Sequence, residues 1–275
     1  MRAPYQLICA VSVEDRHMQM EECLKHNLPR LAQLPVEDNA SISIACYGPS
    51  LADTWQEISH PIISMSGATR YLADRGVIAD YHVEIDPREQ KVKHLQPPVD
   101  GVHYLMASVC HPSTWQVLKN QKVSIWHVRS AETTEPWVFA NDPSGLLLQT
   151  GSTVGMAAIH IGGCLGYRHF EIHGMDGNIR DGKRHAGPHY GHLQGGITWD
   201  AGRVTYQTSR IMSNACAEVI NTFRLFPIFG VFHGQGLQQA LIDEEYDLDN
   251  VALAGTPNAS LVRKARAVFF EQQAA

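Results

Sequence analysis

The sequence predicts an α/β fold built on a mostly parallel sheet. Three observations predict it. Apolar runs of strand length alternate with helical patterns along most of the chain, and several of those runs end in Gly, Ser or Asp. The stretch from Gln149 to Asn178 reads as turn, helix, strand and acidic loop, entered from the apolar run Leu146 to Leu148.

The elements follow in order. Tyr5 to Val13 reads as a first strand, and Glu14 to Leu34 as an amphipathic helix on Met18, Met20, Cys23, Leu24, Leu28 and Leu31, broken near Pro29. Ser41 to Cys46 is a short buried strand that runs into Tyr47-Gly48-Pro49-Ser50-Leu51, with a short helix ending near His60-Pro61. Pro61 to Met65 is a strand, Ala68 to Arg75 a helix closed by Gly76, and Ala79 to Pro87 a strand with a terminal acid, Asp86. Val102 to Val109, Ser113 to Asn120 and Val123 to Val128 continue the alternation. Thr133 to Ser144, with Pro136, Asn141, Asp142 and Pro143, reads as an irregular link.

Val154, Ala157, Ala158, Ile161, Cys164 and Leu165 then mark a helix, and Phe170 to Ile172 the strand that delivers Asp176. Gly177 to Gly202 is rich in Gly and His, lacks a sustained period, and is long enough to suggest a lid or binding loop. Val204 to Phe223 is helical, Phe226 to Phe232 a last strand and Leu261 to Phe270 a terminal helix. The expected organisation is residues 1–40 as a flanking strand and helix, 41–235 as the main domain with the His-rich loop 177–202, and 236–275 as a helical extension.

Composition narrows the function. The formal charge of −6 over 275 residues argues against a general nucleic-acid binder, and 44% hydrophobic with 18% charged residues is ordinary for a folded domain. No run approaches the roughly 20 apolar residues of a membrane span, and the N-terminus lacks a secretory pattern, so no membrane association and a cytoplasmic protein are expected. Six scattered cysteines without a Cys-x-x-Cys pair read as reduced core residues.

Strand ends of a parallel sheet converge on one edge, where α/β ligands bind. Gly48 permits close approach of a ligand, Pro49 stiffens the turn, and Ser50 can cap a helix or donate to a phosphate. Thr150, Gly151, Ser152 and Thr153 either cap the following helix or bind an anion with free N–H groups at its positive end. Asp86 and Asp176 could hold a divalent metal, bind a ribose or act as a base, and Asp86 could equally cap a turn. His173, His185, His189 and His192 do not read as a zinc site: Gly187 and Pro188 interrupt the spacing and no cysteine accompanies them. With Arg180, Lys183 and Arg184 they fit an anionic ligand, general acid or base catalysis by His185 or His189, or a solvated loop. There is no Walker motif, Gly-x-Gly-x-x-Gly fingerprint or Gly-x-Ser-x-Gly elbow.

Four motifs in order, Ala45 to Leu51, Asp80 to Pro87, Thr150 to Val154, and Leu165-Gly166-Tyr167 leading to Gly174-Met175-Asp176, resemble the 6-hydroxymethylpterin diphosphokinase MptE-like family, which includes flagellar motility accessory factors and is distantly similar to bacterial sialyltransferases. The resemblance covers about residues 40 to 180. It implies a Rossmann-like, mostly parallel sheet with helices on both faces, and a transferase using a nucleotide donor. Family members move diphosphate from ATP to a hydroxymethylpterin with Mg²⁺, while the flagellar branch and the sialyltransferases are associated with nucleotide sugars.

On that basis Gly48, Pro49, Ser50, Thr150, Gly151, Ser152, Thr153, Gly174 and Asn178 are expected around the nucleotide, with Asp86 and Asp176 on Mg²⁺ or the ribose. The expected partners are a nucleotide and a small-molecule acceptor, with a homo-oligomer left open. Trp126, Trp137 and Trp199 are candidates for a pterin slot. Asn178 stands where a second acid would have strengthened a metal site, and Ala45-Cys46-Tyr47 replaces a smaller turn. A nucleotide-binding module without catalysis is the remaining alternative.

Overall fold

The computed structural model describes residues 11–38, 40–130, 133–188, 196–201 and 203–243. In chain order the helices are α1 (Val13–Lys25), α2 (Leu51–Thr54), α3 (Ala68–Ala73), α4 (Ser113–Val117), α5 (Thr134–Asn141), α6 (Val154–Cys164) and α7 (Arg210–Leu225). The strands are β1 (Ser41–Ala45), β2 (Ile62–Met65), β3 (Tyr81–Glu84), β4 (His103–Ala107), β5 (Lys122–Val128), β6 (Leu147–Leu148), β7 (His169–His173), β8 (Ile197–Ala201), β9 (Val204–Thr208) and β10 (Phe229–His233). Residues 237–243 are also helical.

Eight strands form one parallel sheet in the order β10-β7-β1-β2-β3-β4-β5-β6. The fold is α/β and Rossmann-like. β2 and β4 are buried along their whole length, as expected where helices cover both faces. Ile42, Ile44 and Ile63 pack with Ala157, Ala158 and Ile161 of α6 on one face. Ala45 and Ile62 pack with Ala68 and Leu72 of α3 on the other. The small residues of α6 let it lie close across β1, β2 and β3.

Strand order sets the position of the site. From β1 the chain steps outward through β2, β3, β4, β5 and β6, and α6 then carries it back to β7 on the opposite side of β1. The order of the sheet therefore reverses between β1 and β7, the position at whose carboxyl edge α/β proteins bind ligands.

Several expected elements differ. Residues 11 and 12 are not strand, α1 begins at Val13, and positions 1–10 lie outside the described residues. The expected long first helix stops at Lys25, with a separate 3₁₀ turn at Leu31–Gln33. The expected irregular link contains α5, because Pro136 falls in its first turn, where no intrahelical acceptor needs its missing N–H. The expected long loop ends in an antiparallel hairpin of β8 and β9, so α7 starts at Arg210 rather than near Val204. The expected terminal helix from Leu261 to Phe270 lies outside the described residues.

Candidate functional site

The loops after β1 and β7 are bound to each other at the crevice. Strand pairing persists past the strand ends, with Cys46 N–H donating to the His173 carbonyl and Gly48 N–H to the Gly174 carbonyl, both at 2.8 Å. A Cβ on Gly48 would lie 2.7 Å from Asp176 Oδ2 and collide with the Gly174 carbonyl. Gly174 has φ +68° and is pressed against the Cys46 carbonyl in turn. Each loop thus requires the other's glycine.

Ser50 and Asp176 close the contact. The Ser50 N–H donates to Asp176 Oδ2 at 2.7 Å, and its hydroxyl donates to Oδ1. Ser50 makes no side-chain cap on α2, because its hydroxyl is committed to the carboxylate. Asp176 is 6% exposed, and burial pushes its carboxyl above the ordinary range against the pull of the Ser50 donors. A third segment seals this corner. Leu237 N–H donates to Asn178 Oδ1 at 3.0 Å and Gln238 N–H to the Asp176 carbonyl at 2.9 Å. Asn178 is therefore engaged in anchoring residues 237–243.

The turn before α6 meets the same crevice. A Cβ on Gly155 would lie 2.9 Å from Met175 Cε and 3.3 Å from Cys46 Sγ, so the first turn of α6 rests against the ends of β1 and β7. Thr153 is the N-cap, its hydroxyl accepting from the Met156 N–H at 3.3 Å. Gly151 has φ +63°. Ser152 presents its N–H and hydroxyl outward, and the Glu218 carboxylate of α7 takes both, at 2.8 and 2.7 Å. The turn therefore both caps a helix and receives an anion, here one supplied by the protein. Thr150 is buried, and its hydroxyl has no partner among the described residues. Glu218 went unnoticed in the sequence, where it is one acid on an amphipathic helix.

Asp86 and Asp176, expected on a metal or the ribose, have different surroundings. Asp86 follows β3 and Asp176 follows β7, three strand steps apart, or roughly 14 Å at ordinary strand spacing. Asp86 is also taken up locally, by Arg88 Nε at 2.8 Å and Nη2 at 2.5 Å and by Lys91 at 3.6 Å. Burial opposes ionisation there, but Arg88 and Lys91 hold the carboxyl below its usual range. The two acids thus leave strands that are not neighbours, and each is engaged within its own surroundings, Asp86 by Arg88 and Asp176 by Ser50. Among the described residues no group of three His, Cys, Asp or Glu is arranged to hold a metal. The neighbouring Glu84 is the more buried acid: Oε1 accepts from the N–H groups of Ile85 and Asp86, Oε2 has no partner among the described residues, and burial raises its pKa.

The described part of the His-rich loop folds back over the β1 turn. His185 stacks on Tyr47 with ring centroids 5.3 Å apart, and Ala186 N–H donates to the Tyr47 carbonyl at 3.0 Å. Tyr47 donates its hydroxyl to the Pro188 carbonyl at 3.0 Å. Arg180 pairs with Asp53 at 2.6 Å and donates to the Pro49 carbonyl at 3.1 Å. Burial, with the charges of Lys91 and His185, lowers His94 to about 4. His173 is not a loop residue but the last residue of β7, stacked on His233 at 4.2 Å. His189 and His192 lie outside the described residues. Of the tryptophans, Trp126 is fully buried in the core and Trp137 stacks on His17, while Trp199 is exposed on the hairpin.

The four motifs seen in the sequence thus follow β1, β3, β6 and β7, and of these strands only β1 and β7 are neighbours, at the switch point. The sequence profile of the family described as "6-hydroxymethylpterin diphosphokinase MptE-like" matches residues 17–182, more than half of the chain. The chain belongs to the MptE-like family. Among solved structures, the MAf glycosyltransferase from Magnetospirillum magneticum AMB-1 is similar, with a TM-score of 0.58 and 16% sequence identity. The likeness covers 82% of this MptE-like chain and 38% of the glycosyltransferase, and at that identity it shows the fold. No curated protein matches the sequence. The profile match takes in β1 through the loop after β7 and stops before α7, so Glu218 falls outside it.

Proposed function

We propose that this MptE-like protein is a nucleotide-dependent transferase that seats the phosphates of its donor at the β1–β7 switch. One observation carries the reading: the first turn of α6 and the glycine-bearing loops after β1 and β7 meet in one crevice. Backbone donors and the positive end of α6 there favour the negative charge that grows on a departing phosphate. Asp176 holds Ser50 and thereby shapes the crevice, as a positioning residue. His185, on the rim beside Tyr47, is the candidate base for the acceptor hydroxyl.

The family description supports diphosphate transfer from ATP to a hydroxymethyl acceptor as the specific reaction. Glycosyl transfer from a nucleotide sugar is the second reading. The separation of Asp86 and Asp176 favours it, since displacement of a nucleotide can rest on donors at a helix N-terminus without a carboxylate pair. No step is assigned to Mg²⁺.

Thermal-shift titration against ATP with Mg²⁺, CMP, UDP and GDP tests the proposal. A ligand at many times its dissociation constant stabilises by about 3 kcal/mol, so one member of the panel raises the melting temperature. A response to CMP or UDP without one to ATP overturns diphosphate transfer. Silence from the whole panel overturns the nucleotide-dependent reading itself.

A further inference from the structure

Glu218 occupies the place that the proposed function gives to a donor phosphate. Its carboxylate reaches across from α7 to a turn 66 residues away in sequence and accepts both outward donors of Ser152 with a single oxygen, Oε2. The local backbone is shaped to this contact: Gly151 has φ +63°, and a Cβ there would come within 2.9 Å of the same oxygen. Thr150, which leads into the turn, is 1% exposed and carries a hydroxyl without a partner among the described residues. α7 is held by packing independent of this bond, through Cys216, Val219 and Thr222 on its buried face, so the Glu218 side chain can leave without moving its helix.

We propose that Glu218 is an internal anion that closes the α6 turn in the ligand-free protein and is displaced by the phosphate of the incoming ligand. The inference rests on reading that turn as part of the donor site. Two anions cannot share the Ser152 donors, and a carboxylate left in place repels a phosphate. Ligand affinity is therefore reduced by the fraction of time the turn is closed. Charge-assisted bonds are roughly twice as strong as neutral ones, so neutralising Glu218 opens the turn partly and deleting it opens the turn fully.

The test is calorimetric titration of inorganic pyrophosphate into the wild-type chain and into Glu218→Ala, Glu218→Gln and Glu21→Ala. Glu21 is exposed on α1, so its removal changes the net charge equally without touching the turn. The expected result is binding about tenfold tighter in E218A, the gain from releasing a turn closed about nine-tenths of the time, with E218Q in between and E21A like wild type. Equal or weaker binding by E218A overturns the proposal, as does an equal gain in E21A. Should E218A fail to melt cooperatively, E218Q decides, and unchanged affinity there overturns it. Pyrophosphate binding to none of the four proteins also overturns it. The nucleotide panel, read separately on the wild type, reports whether the transferase reading survives.

Discussion

Ser50 and Asp176 are joined twice across 126 residues of sequence, by a backbone N–H at 2.7 Å to one carboxylate oxygen and by a hydroxyl to the other. The pair fastens the loop after β1 to the loop after β7 where the sheet reverses its order. An acid that looked like a metal ligand is, by its contacts, the rivet of the crevice. Replacing it separates a structural role from a direct one. Asp176→Ala leaves two buried donors unpaired and is expected to cost about 2 to 4 kcal/mol in urea denaturation. If the stability of D176A is unchanged while nucleotide binding disappears, Asp176 touches the ligand and the rivet assignment is wrong.

Glycine at position 48 is required by contact, not by backbone conformation. Gly48→Ala drives a methyl group into the Gly174 carbonyl and Asp176 Oδ2 and should destabilise by about 1 to 3 kcal/mol. Gly163, in α6, has open space where a Cβ would sit, so Gly163→Ala should stabilise by about 0.5 to 1 kcal/mol. Equal melting temperatures for the two variants would contradict the packing described at the crevice.

Much of this edge was legible in the sequence, because small and acidic residues at the ends of short apolar runs are local signals. Gly48, Ser50, Gly151, Ser152, Gly174 and Asp176 could be assigned to one edge on that basis. Which of them meet could not be read locally. The distance between Asp86 and Asp176 depends on strand order, and the return of the chain to the far side of β1 leaves no mark in either motif. Glu218 was invisible for a similar reason: its partner is set by how α7 docks. The hairpin of β8 and β9 was missed because Ile197, Thr198, Trp199 and Asp200 are all exposed and so lack the buried alternation that marks a strand.

Arg180 fastens the loop that runs on to Pro188 at two points, to Asp53 and to the Pro49 carbonyl. Both lie near the surface, so Arg180→Ala should cost less than about 1 kcal/mol of global stability. Local opening should respond more strongly. Trypsin cleavage after Lys183 or Arg184, followed by mass spectrometry, is expected to run several times faster in R180A than in wild type. Unchanged cleavage would mean that the Arg180 contacts do not hold the loop.

Buried histidines should make the protein sensitive to acid. Burial lowers His82 and His173 to about 3 and His94 and His103 to about 4, whereas a free histidine titrates near 6.5. Between those values the unfolded chain binds protons that the folded chain refuses, so the stability these groups contribute is full above pH 6.5 and falls as pH drops toward 4. His233 has the opposite sign, because Glu171 accepts from its ring at 2.5 Å and raises its pKa. His173 isolates one group. It is 1% exposed, stacks on His233, and has no partner for either ring nitrogen among the described residues, so His173→Phe keeps the stacked shape and removes the titration. Denaturation at pH 7 and pH 4.5 should show a smaller loss of stability in H173F than in wild type, by about 1.4 kcal/mol for each pH unit over which only the unfolded chain is protonated. An identical loss in both proteins would mean that His173 is protonated in the folded state, with its charge met by Glu171 or Glu57, the carboxylates that flank His233.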